Sequence, residues 1–285
     1  MAQIGIYEKA LPKDISWKER FRLVKELGFD FIEMSIDETD ERLARLDWTE
    51  EEIAQLREEM FASGVRINSI CLSGHRRFPF GSEDLTKQKQ AAELMTKAIQ
   101  LAHKLSIKVI QVAGYDVYYE KKSVNSRELF IEGLKKSVEE ASEYGVILSV
   151  EIMDDPFMNS ISKFLEIKGQ IHSPYLQVYP DLGNLSAWPA NNPATELEEG
   201  IDCITSIHLK DTYPVTDSPG QFRDVPFGEG CVDFLGLLKT LKRLGYNGTF
   251  LIEMWSEKSS DFRQEIEQAK TYLYPKLEEA GYHVS

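Results

Sequence analysis

Three apolar runs in the second half of this 285-residue chain each end in an acid: Leu148-Ser149-Val150-Glu151, Val178-Tyr179-Pro180-Asp181 and Phe250-Leu251-Ile252-Glu253. A fourth run, Ile204 to Leu209, holds His208 just before its polar edge at Lys210 and Asp211. Each reads as a buried strand that stops at a polar rim. Three carboxylates and an imidazole are mostly hard donors. Such a set suits one divalent ion, Mn(II), Mg(II) or Zn(II), with positions left for substrate oxygens. The same groups can take up and return protons. Any one of them alone would pass for a salt-bridged acid or a hydrogen-bonded core histidine; the four together point to a metal site.

A regular alternation of strand and helix must bring them to one place. The pattern predicts strands at Gln3–Tyr7, Phe31–Ile36, Arg66–Leu72, Val109–Ala113, Ile147–Ile152, Leu176–Tyr179, Ile204–Leu209 and Thr249–Glu253. Between the first strands it predicts a helix capped by Ser16 and stopped at Gly28, and another from about Thr49 to Ser63. In the second, Thr49 and Glu52 have capping-box spacing and Gly64 marks the end. Further helices are expected at Leu85–Leu105, Arg127–Tyr144, Ser160–Ile171, Ala194–Ile201, Val232–Leu244 and Asp261–Ala280, with loops after the second strand, over Ser73–Ser82 and over Thr212–Gly230. Eight βα units without a flexible linker predict an α/β fold: a single (β/α)8 TIM barrel spanning residues 1–285. A two-domain doubly wound protein is the alternative, weakened because no strand is followed by a glycine-rich dinucleotide fingerprint. In barrels the chemistry sits at the carboxyl ends of the strands, where Glu151, Asp181, His208 and Glu253 fall on strands five to eight.

Composition narrows the partners. A formal charge of −14 argues against nucleic acid and anionic membranes, leaving a small molecule. The 42% hydrophobic content fits a globular core, and no run approaches the roughly 20 apolar residues of a membrane span. The first strand begins without a basic and apolar leader, so a cytoplasmic protein is expected. Cys71, Cys203 and Cys231 are odd in number and widely spaced, which predicts reduced, structural thiols. His103, His172 and His283 read as surface or capping groups.

The motifs Val150-Glu151-Ile152-Met153-Asp154, Pro180-Asp181-Leu182-Gly183-Asn184, Ile207-His208-Leu209-Lys210-Asp211, Val225-Pro226-Phe227-Gly228-Glu229-Gly230 and Leu251-Ile252-Glu253-Met254-Trp255 resemble the sugar-epimerase branch of the xylose-isomerase-like barrels. Within that branch the chain is similar, nearly end to end, to the L-ribulose-5-phosphate 3-epimerases of ascorbate utilisation, also called L-xylulose-5-phosphate 3-epimerases. The resemblance implies that Glu151, Asp181, His208 and Glu253 bind one divalent ion, that Glu151 and Glu253 transfer protons, and that the enzyme is a homodimer. It also implies that Arg223 lies near the substrate oxygens. Free-ketose epimerases of the branch carry a histidine three residues after the metal aspartate; this chain has Asn184, as phosphosugar relatives do, and Asn184 can hydrogen-bond a sugar hydroxyl.

Inverting C3 of a 2-ketose requires removal of a proton beside a carbonyl and its return to the opposite face, so bases are needed on both sides. Two glutamates on different strands can flank the carbon, and a cation at O2 and O3 stabilises the developing cis-enediolate. The substrate implied is a ketopentose 5-phosphate. Candidates for holding the phosphate are Ser73, His75 and Arg76 after strand three, Asn159 and Ser160 at the start of a helix, and Lys210. Tyr115, Tyr118, Tyr119, Trp188 and Trp255 are rim aromatics suited to pocket walls or a subunit contact. The alternatives are another isomerase or epimerase on the same barrel, or a non-catalytic phosphosugar-binding protein. An abasic-site endonuclease would need more histidines and a basic face.

Overall fold

The computed structural model describes residues 2–257 and 259–284. Eight parallel strands form one sheet: β1 (Gln3–Tyr7), β2 (Phe31–Ile36), β3 (Arg66–Leu72), β4 (Val109–Val112), β5 (Ile147–Glu151), β6 (Leu176–Tyr179), β7 (Ser206–Leu209) and β8 (Thr249–Ile252). Neighbours pair in chain order from β1 to β6, while β8 joins β1 to β7. The remaining gap, between β6 and β7, closes through parallel bridges from Val178 to Ile204 and from Asp181 to His208. His208 N–H donates to the Pro180 carbonyl at 2.9 Å there. The barrel therefore shuts at two of the residues singled out for chemistry.

The helices are α1 (Trp17–Glu26), α2 (Asp40–Leu43), α3 (Glu50–Ser63), α4 (Leu85–Lys104), α5 (Val124–Glu143), α6 (Ile161–Lys168), α7 (Leu182–Ser186), α8 (Pro193–Gly200), α9 (Phe234–Arg243) and α10 (Phe262–Glu279). Ser16 caps α1 by accepting from Glu19 N–H, and the capping box of Thr49 and Glu52 opens α3. Gly64 then takes the left-handed conformation, at φ 71°, that ends it. Helix α5 starts three residues before the expected Arg127, because Ser123 and Ser126 form a capping box in which Ser126 stands where a Glu or Gln is usual. Helices α2 and α7 are four and five residues long, too short to show an apolar period, and both lie where a loop was expected or no element was assigned.

The apolar core lies between sheet and helices: outward residues such as Ile32, Met34 and Ile36 of β2 share one buried cluster with Phe21 and Val24 of α1 and with Leu94 and Ala98 of α4. Inside the barrel a small cluster of Tyr7, Phe31, Cys71 and Leu251 fills one side. The buried polar residues Glu33, Ser69, Gln111, Ser149 and His208 belong to its strands. An interior this polar departs from the branched aliphatic layers usual in such barrels.

Candidate metal and proton-transfer site

The carboxyl ends of β5 to β8 converge. One donor atom each from Glu151, Asp181, His208 and Glu253 lies within 4.8 Å of all the others, and all four residues are buried. Ring nitrogen Nδ1 of His208 stands 3.1 Å from Glu151 Oε1, 3.6 Å from Glu253 Oε2 and 3.8 Å from Asp181 Oδ2. Asp181 also caps α7, its Oδ1 accepting from Asn184 N–H at 2.7 Å, so its other oxygen is the one left toward the cluster.

The electrostatics are unbalanced. Lys210 Nζ lies 2.8 Å from Asp181 Oδ2 and 3.1 Å from Glu253 Oε2, close enough to pair by charge. Neither oxygen, however, receives a hydrogen bond of good geometry. Burial raises the carboxyl pKa of Glu151 and of Asp181 above the ordinary range. At Glu253 burial also pushes upward, but Lys210 and His208 outweigh it and hold the group low. Burial lowers His208, and Glu253 and Glu33 more than reverse that. A buried set with more acid than its one lysine can neutralise fits a divalent cation in charge, hardness and spacing.

Two further residues support the set, and neither stands at a strand end. Glu33 of β2 faces the other ring nitrogen of His208, with Oε1 at 3.0 Å from Nε2, and Gln111 of β4 donates to Glu151 Oε2. Gln111 is the single polar residue of Val109–Val112 and Glu33 the single charged residue of Phe31–Ile36, but neither interruption by itself says what the residue faces.

Over the cluster opens a narrow cavity of about 30 Å³ whose walls include Tyr7, Ser73, Arg76, Glu151, Asp154, Asn184, Lys210, Arg223, Glu253 and Trp255. Lys210, Glu253 and Trp255 also line a neighbouring cavity of about 680 Å³, under the loop Val225–Phe227. Asp211 holds that loop by accepting from the backbone N–H groups of Gly228, Gly230 and Val232. Asn184 Nδ2 donates to the Ile152 carbonyl, leaving its Oδ1 without a partner, and Arg223 stacks over Trp255 at 5.1 Å.

Of the phosphate candidates, Ser73 and Arg76 are cavity walls; Arg76 lies over the rings of Tyr115 and Tyr118 and donates to Tyr115 Oη. The structure places the others differently. His75 stacks on Phe80 at 4.5 Å, donates Nε2–H to the Ala91 carbonyl, and is pushed down to about 4 by burial, so it carries no charge for an anion. Asn159 receives Lys163 Nζ at 2.6 Å, and Ser160 caps α6. The amino end of that helix is already taken by a carboxylate, since Glu196 accepts from Ser162 N–H at 2.7 Å. Lys210 lines the cavity but pairs with Asp181 and Glu253 of the acidic cluster. His103 bonds the Tyr144 carbonyl at the surface; Cys71 and Cys203 are buried free thiols and Cys231 is exposed.

Residues 21–275 match the family described as xylose isomerase-like TIM barrel. The chain belongs to that family. Among its relatives, L-ribulose-5-phosphate 3-epimerase UlaE of Escherichia coli strain SE11 is 52% identical over 278 residues, covering 98% of this chain and 96% of that protein. SgbU of E. coli strain K12, which carries a provisional L-ribulose-5-phosphate 3-epimerase name, is 58% identical over 281 residues and 98% of both chains. Similar solved structures include an L-ribulose 3-epimerase, with a TM-score of 0.75 at 19% identity over 98% of this chain and 96% of that one. The E. coli 3-keto-D-glucoside 4-epimerase YcjR has a TM-score of 0.77 at 18% identity over 96% of this chain and 100% of its own. These last two show the barrel fold. Full-length identity above one half to epimerases makes this member of the xylose isomerase-like family an isomerase of the epimerase type.

Proposed function

We propose that the enzyme interconverts L-ribulose 5-phosphate and L-xylulose 5-phosphate by inverting C3, with Glu151 and Glu253 as the proton-transfer pair. The observation that carries this reading is that these two carboxylates, from β5 and β8, both reach the narrow cavity and both stand against His208 Nδ1. The identity to proteins named L-ribulose-5-phosphate 3-epimerase supports the choice of substrate.

In this mechanism one glutamate, ionised, removes the C3 proton of the ketose. The electrons move toward the C2 carbonyl, giving the cis-enediolate. The other glutamate, protonated, delivers a proton to the opposite face of C3, and the pair exchange roles in the reverse direction. Burial raises Glu151 and the lysine holds Glu253 low, so the pair starts with one member better able to carry a proton than the other. A divalent cation held by Glu151, Asp181, His208 and Glu253 would supply positive charge for the sugar oxygens as the enediolate develops. Asn184 and Arg223 would bond sugar hydroxyls, and Arg76 with Ser73 would receive the phosphate; that all four line the narrow cavity supports these roles. Exposed Leu85, Tyr119 and Val124, on segments joined by the Lys87–Glu120 and Asn125–Glu83 contacts, would suit the contact of a homodimer.

The test is NMR of each ketose phosphate in D2O with enzyme and Mn(II). The expected outcome is deuterium at C3 of both sugars as they interconvert, abolished by chelator. Deuterium at C1 would instead assign aldose–ketose isomerisation, and tight binding without exchange would leave a binding protein.

A further inference from the structure

We propose that Glu33 is a positioning residue that fixes which nitrogen of His208 faces the metal. The inference rests on the reading of Glu151, Asp181, His208 and Glu253 as a metal centre. Glu33 sits in the middle of β2 with no exposed surface and is not a wall of the substrate cavity. A carboxyl group kept in such a place must be held by hydrogen bonds. The structure shows two on its side chain: His208 Nε2 at 3.0 Å from Oε1 and Ser69 Oγ at 2.5 Å from Oε2.

The strands are built to make this contact. The pairing of β2 with β3 runs Phe31 to Arg66 and Ile32 to Ile67, then shifts so that Glu33 lies opposite Ser69, not Asn68. An extra residue in β3 therefore brings the small hydroxyl across from the acid, the re-aiming that bulges near functional sites provide. Oε2 of Glu33 takes the Ser69 hydroxyl and Oε1 stands as an acceptor 3.0 Å from Nε2, so Nε2 is the nitrogen that keeps its hydrogen. Nδ1, within 3.1–3.8 Å of oxygens from Glu151, Asp181 and Glu253, is then the nitrogen with a lone pair for the metal. A carboxylate behind a ligating imidazole fixes the tautomer, orients the ring and raises its basicity as a ligand. Ser69 in turn orients Glu33.

The experiment measures Zn(II) affinity by competition with a chromophoric chelator for wild type, Glu33→Leu, Glu33→Gln and Ser69→Ala. In parallel, nitrogen NMR of the Zn(II)-loaded, histidine-labelled wild type reads the tautomer of His208. The expected result is Zn(II) on Nδ1 with a proton on Nε2, and affinity weakened about 10–100-fold in Glu33→Leu. Glu33→Gln, whose amide oxygen still accepts from Nε2–H, should recover most of that loss, and Ser69→Ala should lose a few-fold. At saturating Zn(II) the KM for the sugar should be unchanged, because Glu33 does not reach it. A proton on Nδ1 in the loaded wild type, or Glu33→Leu binding within about threefold of wild type, overturns the proposal. The NMR result needs no variant and stands even where Glu33→Leu fails to fold. Wild type that takes up no Zn(II) overturns the metal reading itself, and this inference with it.

Discussion

On the β1–β2 side of the barrel rim, Glu8 is wholly buried among Arg20, Arg42 and Arg45; on the β5–β8 side, Glu151, Asp181 and Glu253 are buried to a similar degree around His208 and Lys210. Arg45 grips both oxygens of Glu8 at 2.7 Å, Ser35 N–H donates to the same carboxylate at 2.8 Å, and Arg20 Nε lies 3.4 Å away. Arg42 extends the group to Asp37 and Glu257, and Lys9 joins Asp37 at 2.6 Å. Three carboxylates thus meet four cations in the first group. In the second, counting Glu33, four carboxylates share one lysine and one histidine. Burial pushes Glu8 up, but its arginines outweigh that and hold it low, whereas at Glu151 and Asp181 burial wins. The difference is instructive: buried charge that the chain balances itself ties loops together, and buried charge left over marks a site that could hold a cation.

The comparison breaks most visibly on substitution. Glu151→Gln and Glu253→Gln should each lower epimerisation by about 10²–10⁴-fold, the usual worth of a general acid or base. Glu151→Gln also removes a charge that burial disfavours, so the metal-free variant should melt no lower than wild type, whereas Glu253→Gln removes the carboxylate that Lys210 and His208 stabilise and should melt lower; a calorimetric scan beside the rate assay checks both. Glu8→Gln should do the reverse. It leaves three buried arginines short of a carboxylate and should cost about 3–5 kcal/mol in urea unfolding, while kcat of the folded fraction stays within a few-fold. A smaller effect comes from His75, which is buried without any charge. Its imidazole stays neutral until about pH 4, but in the unfolded chain it protonates near its ordinary value of 6.5. Between those values the unfolded state binds more protons, so stability falls as pH drops, by up to about 3 kcal/mol. Urea titrations of wild type and His75→Phe at pH 7.5 and 5 should show that part of the slope vanish in the variant.

How much of this could be read in the sequence follows from range. Glu151, Asp181, His208 and Glu253 were legible because each sits at or beside the end of an apolar run, and a barrel gathers such ends. Strand positions agree to within two residues, since the runs themselves set them. Glu33 was not read as part of the site: a single acid in Phe31–Ile36 becomes informative only once the bulge at Asn68 and the distant His208 are known. Nor could sequence reasoning show that Glu196, 34 residues from Ser162, closes the amino end of α6 against a phosphate. Lys210 looked like an outer cation because its partners, Asp181 and Glu253, come from other strands. Local pattern carried the scaffold; pairings across the barrel carried the rest.

The central claim is that the β5–β8 cluster is incomplete without a divalent cation. Calorimetric titration of Zn(II) into chelator-stripped protein tests it most directly, with Asp181→Asn measured alongside. The account predicts one ion per chain, a stabilisation of about 2.7 kcal/mol at a hundredfold excess over Kd, and much weaker binding in the variant. No saturable uptake, or Asp181→Asn binding as tightly as wild type, would contradict it.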